Sequence, residues 1–526
     1  MIDILIIGNG GAGLTTALEV KKSCNNVVVL SKTSPTTSQT SQAQGGINAV
    51  LNEQQDSIEN HINDTLKSAH GIGDENTIKY MCSNSKDTIK WLDDIGIAFS
   101  RDESANIAQR KLGGASNPRA CYSSDYTGLK ILHTLYDNCI KEQIEFINDY
   151  MLLELIIEDD TVKGVVCLDI QTSQIKQILA KKVIIATGGY AGIYNKYNTN
   201  STATTGDAIG VAIRAGVELE NMEYIQFHPT ALKDSCILIS ESARGEGGYL
   251  VTQDEKRFVD ELAARDVVAR AIYTKIQNNE DVFLDLRHLG LEKIMETMPQ
   301  EYHLAYDFTK LKLDNDLIQI APAAHYTMGG IKTNLNGETN IKNLYAVGEC
   351  ASNGVHGANR LGGNSLLEII TFGRLIGNHV TKDIDTIKDY ETKEFQVYKD
   401  SIKNIEELFN KTSQINFYDI KKELGKLFYE NVGLFRDEDN LQKVSKQLTI
   451  WNNQLNLMGI TDKSKIFNTN LKEFLEFKNI LQLSSTIVNS AIYRKESRGA
   501  HFRVDFNSED IKYSKSTIIS KDGEII

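Results

Sequence analysis

The densest gathering of His, Arg and Glu in this 526-residue sequence lies between residues 220 and 330. His228, Glu241, Arg244, Arg265 and His325 stand there, with Ser240 among them and Arg360 just beyond. A guanidinium presents a planar fork matched to a carboxylate, while imidazoles and a hydroxyl donate at fixed angles. The set therefore suits an anionic substrate. Taken singly, each residue has a plainer reading. His228 precedes Pro229 and reads as a satisfied structural histidine, and His325 and His356 stand ahead of glycine-rich turns where they would cap backbone. Arg265 followed by Asp266 would be a salt bridge at a helix start, and His133 falls in a leucine-rich helical pattern that assigns it to structure.

A second chemistry opens the chain. The apolar run 4–7 leads directly into Gly8-Asn9-Gly10-Gly11-Ala12-Gly13. Gly8, Gly10 and Gly13 have the spacing of a dinucleotide loop: the first permits a tight turn, the second lets a pyrophosphate approach the backbone, and the third lets the helix pack closely on the strand. A helical pattern follows through Leu14, Ala17 and Val20, offering its unpaired N–H groups to phosphates. A second apolar run, 27–30, completes a strand–turn–helix–strand unit. It ends Leu30-Ser31-Lys32, where an acid normally meets the adenosine ribose, so that hydrogen bond would have to come from Ser31 or the backbone.

Strands at 183–186 and 344–347 end in Thr187-Gly188-Gly189 and Gly348-Glu349. Such strand ends, far apart in sequence, predict one doubly wound, Rossmann-like α/β domain (1–219 and 331–385) interrupted by an α+β capping segment (220–330). From about residue 390 glycine becomes rare, and Ile405, Leu408, Phe409, Ile420, Leu424, Leu427 and Phe428 recur at helical spacing. That pattern predicts a C-terminal helical domain over 386–526.

Composition excludes some classes of function. Lys plus Arg number 57 and Asp plus Glu 70, a net charge of −13, which argues against neutralising the phosphates of a nucleic acid. None of the seven cysteines sits two residues from another, so no zinc-ribbon or iron–sulfur spacing is present, and no metal site is expected. They read as reduced thiols of a cytoplasmic protein. No secretory-signal pattern is found, and no apolar run approaches the roughly 20 residues that span a bilayer. The expectation is a chain without a transmembrane segment, able to dock peripherally on the inner face of a membrane.

Longer blocks carry a resemblance. Ser38-Gln39-Thr40-Ser41-Gln42-Ala43-Gln44-Gly45-Gly46-Ile47 resembles the segment lying along the flavin in succinate dehydrogenase and fumarate reductase flavoproteins. In chain order follow Asp125-Tyr126-Thr127-Gly128, Gln226-Phe227-His228-Pro229-Thr230 and Ser240-Glu241-Ser242-Ala243-Arg244-Gly245-Glu246. Ala264-Arg265-Asp266, His325-Tyr326-Thr327-Met328-Gly329-Gly330, His356-Gly357-Ala358-Asn359-Arg360 and Arg494-Lys495-Glu496-Ser497-Arg498-Gly499-Ala500-His501 complete the series. The resemblance to this family, which includes the L-aspartate oxidases, implies FAD as cofactor and a small C4 dicarboxylate as substrate. It implies that His228, Ser240, His325 and Arg360 hold the carboxylates. Arg265 would be the proton shuttle, relayed by Glu241 and Arg244. FAD would lie against Gly8, Gly10, Gly11, Gly13, Ser31, Lys32, Ser38, Gln39, Thr40, Gln44, Gly45, Gly46, Thr187, Gly188, Gly189 and Asp207. Glu349 would meet the ribityl hydroxyls, and the helix beginning at Asn364, Ser365 and Leu366 would aim its dipole at the flavin N1–C2 region. Members in membrane complexes carry a flavin-linking histidine where this chain has Gln39, so FAD is expected to be held non-covalently.

Two branches of the family compete. Where L-aspartate oxidases read Arg-Glu-Gly-Gly-His-Ser, with the acid facing the substrate ammonium, this chain reads Lys111-Leu112-Gly113-Gly114-Ala115-Ser116. Leu112 cannot pair with a cation, and leaving one unpaired in a closed site is costly. Leu284-Asp285-Leu286-Arg287-His288-Leu289-Gly290 and Asn359-Arg360-Leu361-Gly362-Gly363-Asn364 also resemble the fumarate/succinate branch. Gln39, the short stretch after His501 and Pro322-Ala323-Ala324-His325 lean toward L-aspartate oxidase. The expected activity is a fumarate reductase/succinate dehydrogenase-type oxidoreductase, with L-aspartate oxidase as the alternative. A further alternative is an FAD subunit that is inactive without an iron–sulfur or quinone-linked electron partner.

Overall fold

Leu5 and Ile7 of the first strand, Ile2–Ile7, face one side of a sheet and Ile4 and Ile6 the other, all at most 3% exposed. A strand buried on both faces belongs in the middle of a layered α/β unit. The computed structural model describes residues 1–520 and 523–526. In it Ile2–Ile7 pairs in parallel with Val27–Ser31 on one side and with the second half of Ile175–Ile185 on the other. Glu145–Asn148 and Leu344–Ala346 extend the parallel part. The first half of Ile175–Ile185 pairs instead with Thr161–Asp169, which pairs with Tyr150–Glu158, both antiparallel. These make a seven-stranded sheet.

Each face has its own core. Ile4 and Ile6 pack with the helices Gly11–Lys21, Thr127–Lys141 and Asn364–Thr381. Leu5 and Ile7 belong to a larger cluster that reaches Phe417, Leu424 and Phe428 in the C-terminal region.

Between the two parts of this unit comes a four-stranded antiparallel sheet, in the order Ile225–Leu232, Ile318–Thr327, Val282–Asp285, Tyr249–Thr252. It has a separate core around Leu250, Ile272, Leu284 and Ile318. Its ladder slips between Gln226 and Phe227 and again between His228 and Ala231. Irregularities of this kind bend a strand and re-aim its side chains, and Pro229, which has no N–H to give, stands at the second.

The C-terminal region is helical over Gln396–Asn410, Phe417–Asn431, Glu438–Gln454 and Thr469–Tyr493. Asn416, Asp437 and Asn468 cap three of these starts by accepting backbone N–H bonds. The helical expectation for 386–526 fails after Tyr493. There buried charge, not helix, organises the chain: Arg494 pairs with Glu223 and Glu496, and Arg498 with Glu496. Ile518–Ile519 then adds at the edge of a second sheet, beside Leu219–Glu220. Among the described residues no helix is long and apolar enough to cross a membrane.

Candidate active site

The glycine loop has the conformation its spacing requires. Gly8 has φ +114°, and a Cβ there would lie 2.3 Å from the Ala186 carbonyl oxygen. A Cβ on Gly13 would come within 2.0 Å of the Gly8 oxygen, so helix and strand meet with no room for a side chain. The Gly11 N–H donates to Thr40 Oγ1 at 3.0 Å. Gly8, Gly10 and Gly11 form one wall of a long cleft also lined by Ser31, Lys32, Asp207, Ser38, Gln39, Thr40, Gln44, Gly45, Gly46, Thr187, Gly188 and Glu349. Three lining atoms, Ser38 Oγ, Gln44 Oε1 and Thr187 Oγ1, are buried with no hydrogen-bond partner among the described residues. Buried polar atoms are rarely left unpaired. A cofactor with a pyrophosphate for the loop and a polar ring system for these atoms fits the cleft, as FAD does.

Several residues expected at the cofactor stand elsewhere. Gly13 packs behind the loop, and Gly189 is pressed against Thr327 and Glu349, where a Cβ would lie 2.2 Å from Thr327 Oγ1. The Asn364 side chain turns away: its oxygen accepts from Asn48 at 2.8 Å and its nitrogen donates to Thr65 at 3.0 Å. Ser365 and Leu366 do line the cleft, so the start of the long helix Asn364–Thr381 is presented there. Lys32 lies 2.6 Å from Asp207 and 2.7 Å from Glu476. Burial works against its charge, but the two carboxylates outweigh burial and raise its pKa above the ordinary lysine range. Ser31 Oγ donates to the Thr33 carbonyl. Glu349 accepts from the Thr327 N–H at 2.9 Å, and burial pushes its carboxyl up to about 7.

Leu112, His228, Ser240, Glu241, Arg265, His325 and Arg360 line the same cleft. Gly45 joins the two sets: a Cβ on it would be 3.7 Å from Leu112 and 3.9 Å from Ser240. Arg265 opens the helix Arg265–Gln277 and is 8% exposed. Its Nε and Nη2 donate to Glu241 Oε2 at 3.0 and 2.5 Å, and its Nη1 to Gln226 Oε1 at 3.2 Å. The plainer alternative, a pair with Asp266, does not form; Asp266 accepts from Arg270, one helical turn on, at 2.6 Å. Glu241 Oε1 accepts the Gly113 N–H at 3.0 Å, and a Cβ on Gly113 would lie 2.3 Å from that oxygen. Arg244 does not reach the cleft wall. It stands 3.5 Å from Glu241 and donates to the Glu261 carbonyl. Burial alone would raise the Glu241 pKa, but Arg265 and Arg244 outweigh it and hold the carboxylate ionised.

The two histidines are neutral. Burial and Arg265 push His228 well below the usual imidazole range, and burial, Arg360 and Arg265 do the same to His325. Their rings lie 5.1 Å apart. The Thr230 N–H donates to His228 Nδ1 at 3.3 Å, so in the neutral ring Nε2 carries the proton and can donate. His325 Nδ1 lies 2.7 Å from Thr199 Oγ1. Arg360 donates to Ser365 Oγ at 2.8 Å and to Gln226 Oε1 at 3.0 Å. Burial and the neighbouring Arg265 push it down to about 9. His133 is exposed on its helix, and His356 is buried against Glu368, 2.8 Å away, instead of capping backbone. Gln226, the common acceptor of both arginines, had no assigned part. Its position two residues before His228 on one strand is the signal that points to it.

This arrangement can be set beside known proteins. Residues 3–366 match the FAD binding domain family, and residues 421–525 match the fumarate reductase flavoprotein C-terminal family. The chain belongs to the fumarate reductase/succinate dehydrogenase flavoprotein family. This flavoprotein is 36% identical to the succinate dehydrogenase flavoprotein subunit of Rickettsia felis, covering 100% of the chain and 94% of the relative. It is also 36% identical to the 8-methylmenaquinol:fumarate reductase flavoprotein subunit of Wolinella succinogenes, covering 99% and 88%. A solved structure of a variant of E. coli quinol fumarate reductase superposes with a TM-score of 0.93 at 34% identity, covering 100% of this chain and 95% of that one. The flavoprotein is thus an FAD-dependent oxidoreductase of this type, with an α/β FAD-binding fold and a C-terminal helical region.

Proposed function

We propose that this flavoprotein interconverts fumarate and succinate. The observation that carries the reading is the placement of Arg265: buried, gripped by Glu241 and Gln226, and set in the wall of the FAD cleft that apolar Leu112 also lines. When bound, FAD supplies hydride exchange at its N5 and storage for two electrons. His228 and His325, as neutral imidazoles, donate to the substrate carboxylates together with Ser240, and Arg360 offers its fork to one of them. Holding both carboxylates fixes the two reacting carbons against the ring and turns a collision into a positioned step. In the reducing direction FAD would supply the hydride for one alkene carbon, and Arg265 would give a proton to the other. Arg265 then regains a proton through Glu241 and Arg244, and oxidation is the reverse. Leu112 leaves no partner for an ammonium, which disfavours L-aspartate.

Electrons enter or leave through a separate partner, quinol-linked as the names of two of the relatives suggest or an iron–sulfur protein, with the chain lying peripherally on the inner face of the membrane. A substrate panel on the isolated chain tests the reading. Succinate should bleach the flavin, and reduced dye should be reoxidised on adding fumarate. Turnover of L-aspartate with oxygen or fumarate would overturn the proposal in favour of L-aspartate oxidase. Bleaching without sustained turnover would identify a subunit that needs its partner.

Gln39 makes a separate prediction. Its Oε1 accepts the Ser201 N–H at 2.7 Å, and an amide has no ring nitrogen to bond the flavin. Acid precipitation should leave the yellow colour in the supernatant; colour retained in the pellet would contradict non-covalent binding.

A further inference from the structure

Arg360 is a buried guanidinium without a carboxylate. Arg265, Arg119, Arg494, Arg498 and Arg503 each pair with Asp or Glu, but among the described residues Arg360 makes no ion pair, and its Nε has no hydrogen-bond partner. What it has is a ring: its guanidinium carbon lies 4.4 Å from the centroid of Tyr326, itself part of the cleft wall. Behind the ring stands a charge. Tyr326 Oη donates to Glu368 Oε2 at 2.8 Å, and His356 Nε2 lies 2.8 Å from the same oxygen and 3.2 Å from Oη. Glu368 is 1% exposed, and Tyr326 and His356 are each 6% exposed. Burial and the Glu368 charge raise the Tyr326 pKa, so the phenol keeps its proton and donates it.

The physical consequence concerns which group occupies the guanidinium fork. A carboxylate placed directly on Arg360 would stabilise its charge but fill the donors that a substrate carboxylate needs. A carboxylate one phenol away polarises the O–H, strengthens the negative face of the ring and leaves unfilled the donors that Ser365 and Gln226 do not take, Nε among them. We propose that Tyr326, held by Glu368 and His356, is a positioning residue that keeps Arg360 charged and open for the substrate carboxylate. The inference rests on the dicarboxylate reading above and extends it to three residues outside the assigned set.

The test uses the FAD-loaded full chain and malonate, a dicarboxylate with no pair of carbons to dehydrogenate, followed by perturbation of the flavin spectrum. Tyr326→Phe and Glu368→Gln should each weaken malonate binding about tenfold, and the double variant should bind no more weakly than either. A product of the two single effects in the double variant, or unchanged binding in both singles, would refute the coupling. A pH readout separates charge support from mere packing. Arg360 is faced by Arg265, Tyr326, Glu241 and Glu349. With the Glu368 charge removed the guanidinium discharges more easily, so binding should fall off at lower pH on the alkaline side. An equal loss at every pH would refute the charge role. Should Tyr326→Phe fail to retain FAD, the near-isosteric Glu368→Gln decides through that shift. If the parent holoenzyme itself ignores malonate, the substrate reading falls and this inference with it; parent binding with unaltered variants sinks the inference alone.

Discussion

The Arg265→Gln enzyme is expected to keep its flavin spectrum while losing fumarate reduction by a factor of about 10⁴. The reason is elimination as much as placement. His228 and His325 are held neutral by burial and the surrounding arginines, so neither has an acidic proton to spare near neutral pH. Glu241 is held ionised by Arg265 and Arg244 and has none either. Arg265 is the cleft-lining donor bonded to a carboxylate that can take up and return a proton behind it. Dye-linked fumarate assays with the flavin content measured in parallel decide the matter. Activity within tenfold of the parent, at equal flavin content, would remove Arg265 from the chemistry. Arg265→Lys, which keeps a cation but not the two-pronged grip on Glu241, should lie between the two.

Glu241→Gln should produce the second-largest effect, and it should appear in two measurements at once. Glu241 supplies the negative charge between Arg265 and Arg244, and all three side chains are at most 8% exposed. Breaking a buried charge cluster by removing one partner leaves uncompensated charge and costs about 3–5 kcal/mol. The melting temperature should therefore drop by several degrees. Turnover should fall by about 10²–10³, because the proposed relay to Arg265 would lose its proton acceptor. The amide can still accept the Gly113 N–H, so the adjoining loop has no separate reason to move. A variant as stable and as active as the parent would show that Glu241 neither balances the arginines nor relays protons.

Local rules served well where the chemistry is local. The Gly8–Gly13 loop, the strand before it and the helix after it are contiguous, and hard-sphere contacts at Gly8 and Gly13 leave no freedom to build them otherwise. The Arg265–Asp266 salt bridge shows where such rules mislead. Once both residues lie in a helix, neighbours i and i+1 point apart, and Asp266 meets Arg270 at i+4 instead. At Asn364 the helix start is at the cleft, while the side chain faces Asn48 and Thr65, a direction that short spacing does not encode. The helical pattern beyond residue 390 held as far as Tyr493. It gave out where buried arginine–glutamate pairs, which have no periodicity, take over.

Residue identity and short spacing carry the family, the dinucleotide loop and the kinds of side chain that line the cleft. The tertiary structure decided which partner each charge has. Arg265 meets Glu241 across 24 residues and Gln226 across 39, while Arg360 reaches the same Gln226 oxygen across 134. The first two form inside the segment 220–330, and the third ties that segment to the chain that follows it. In the interior, burial and the neighbouring arginines, and not composition, set which histidines are neutral.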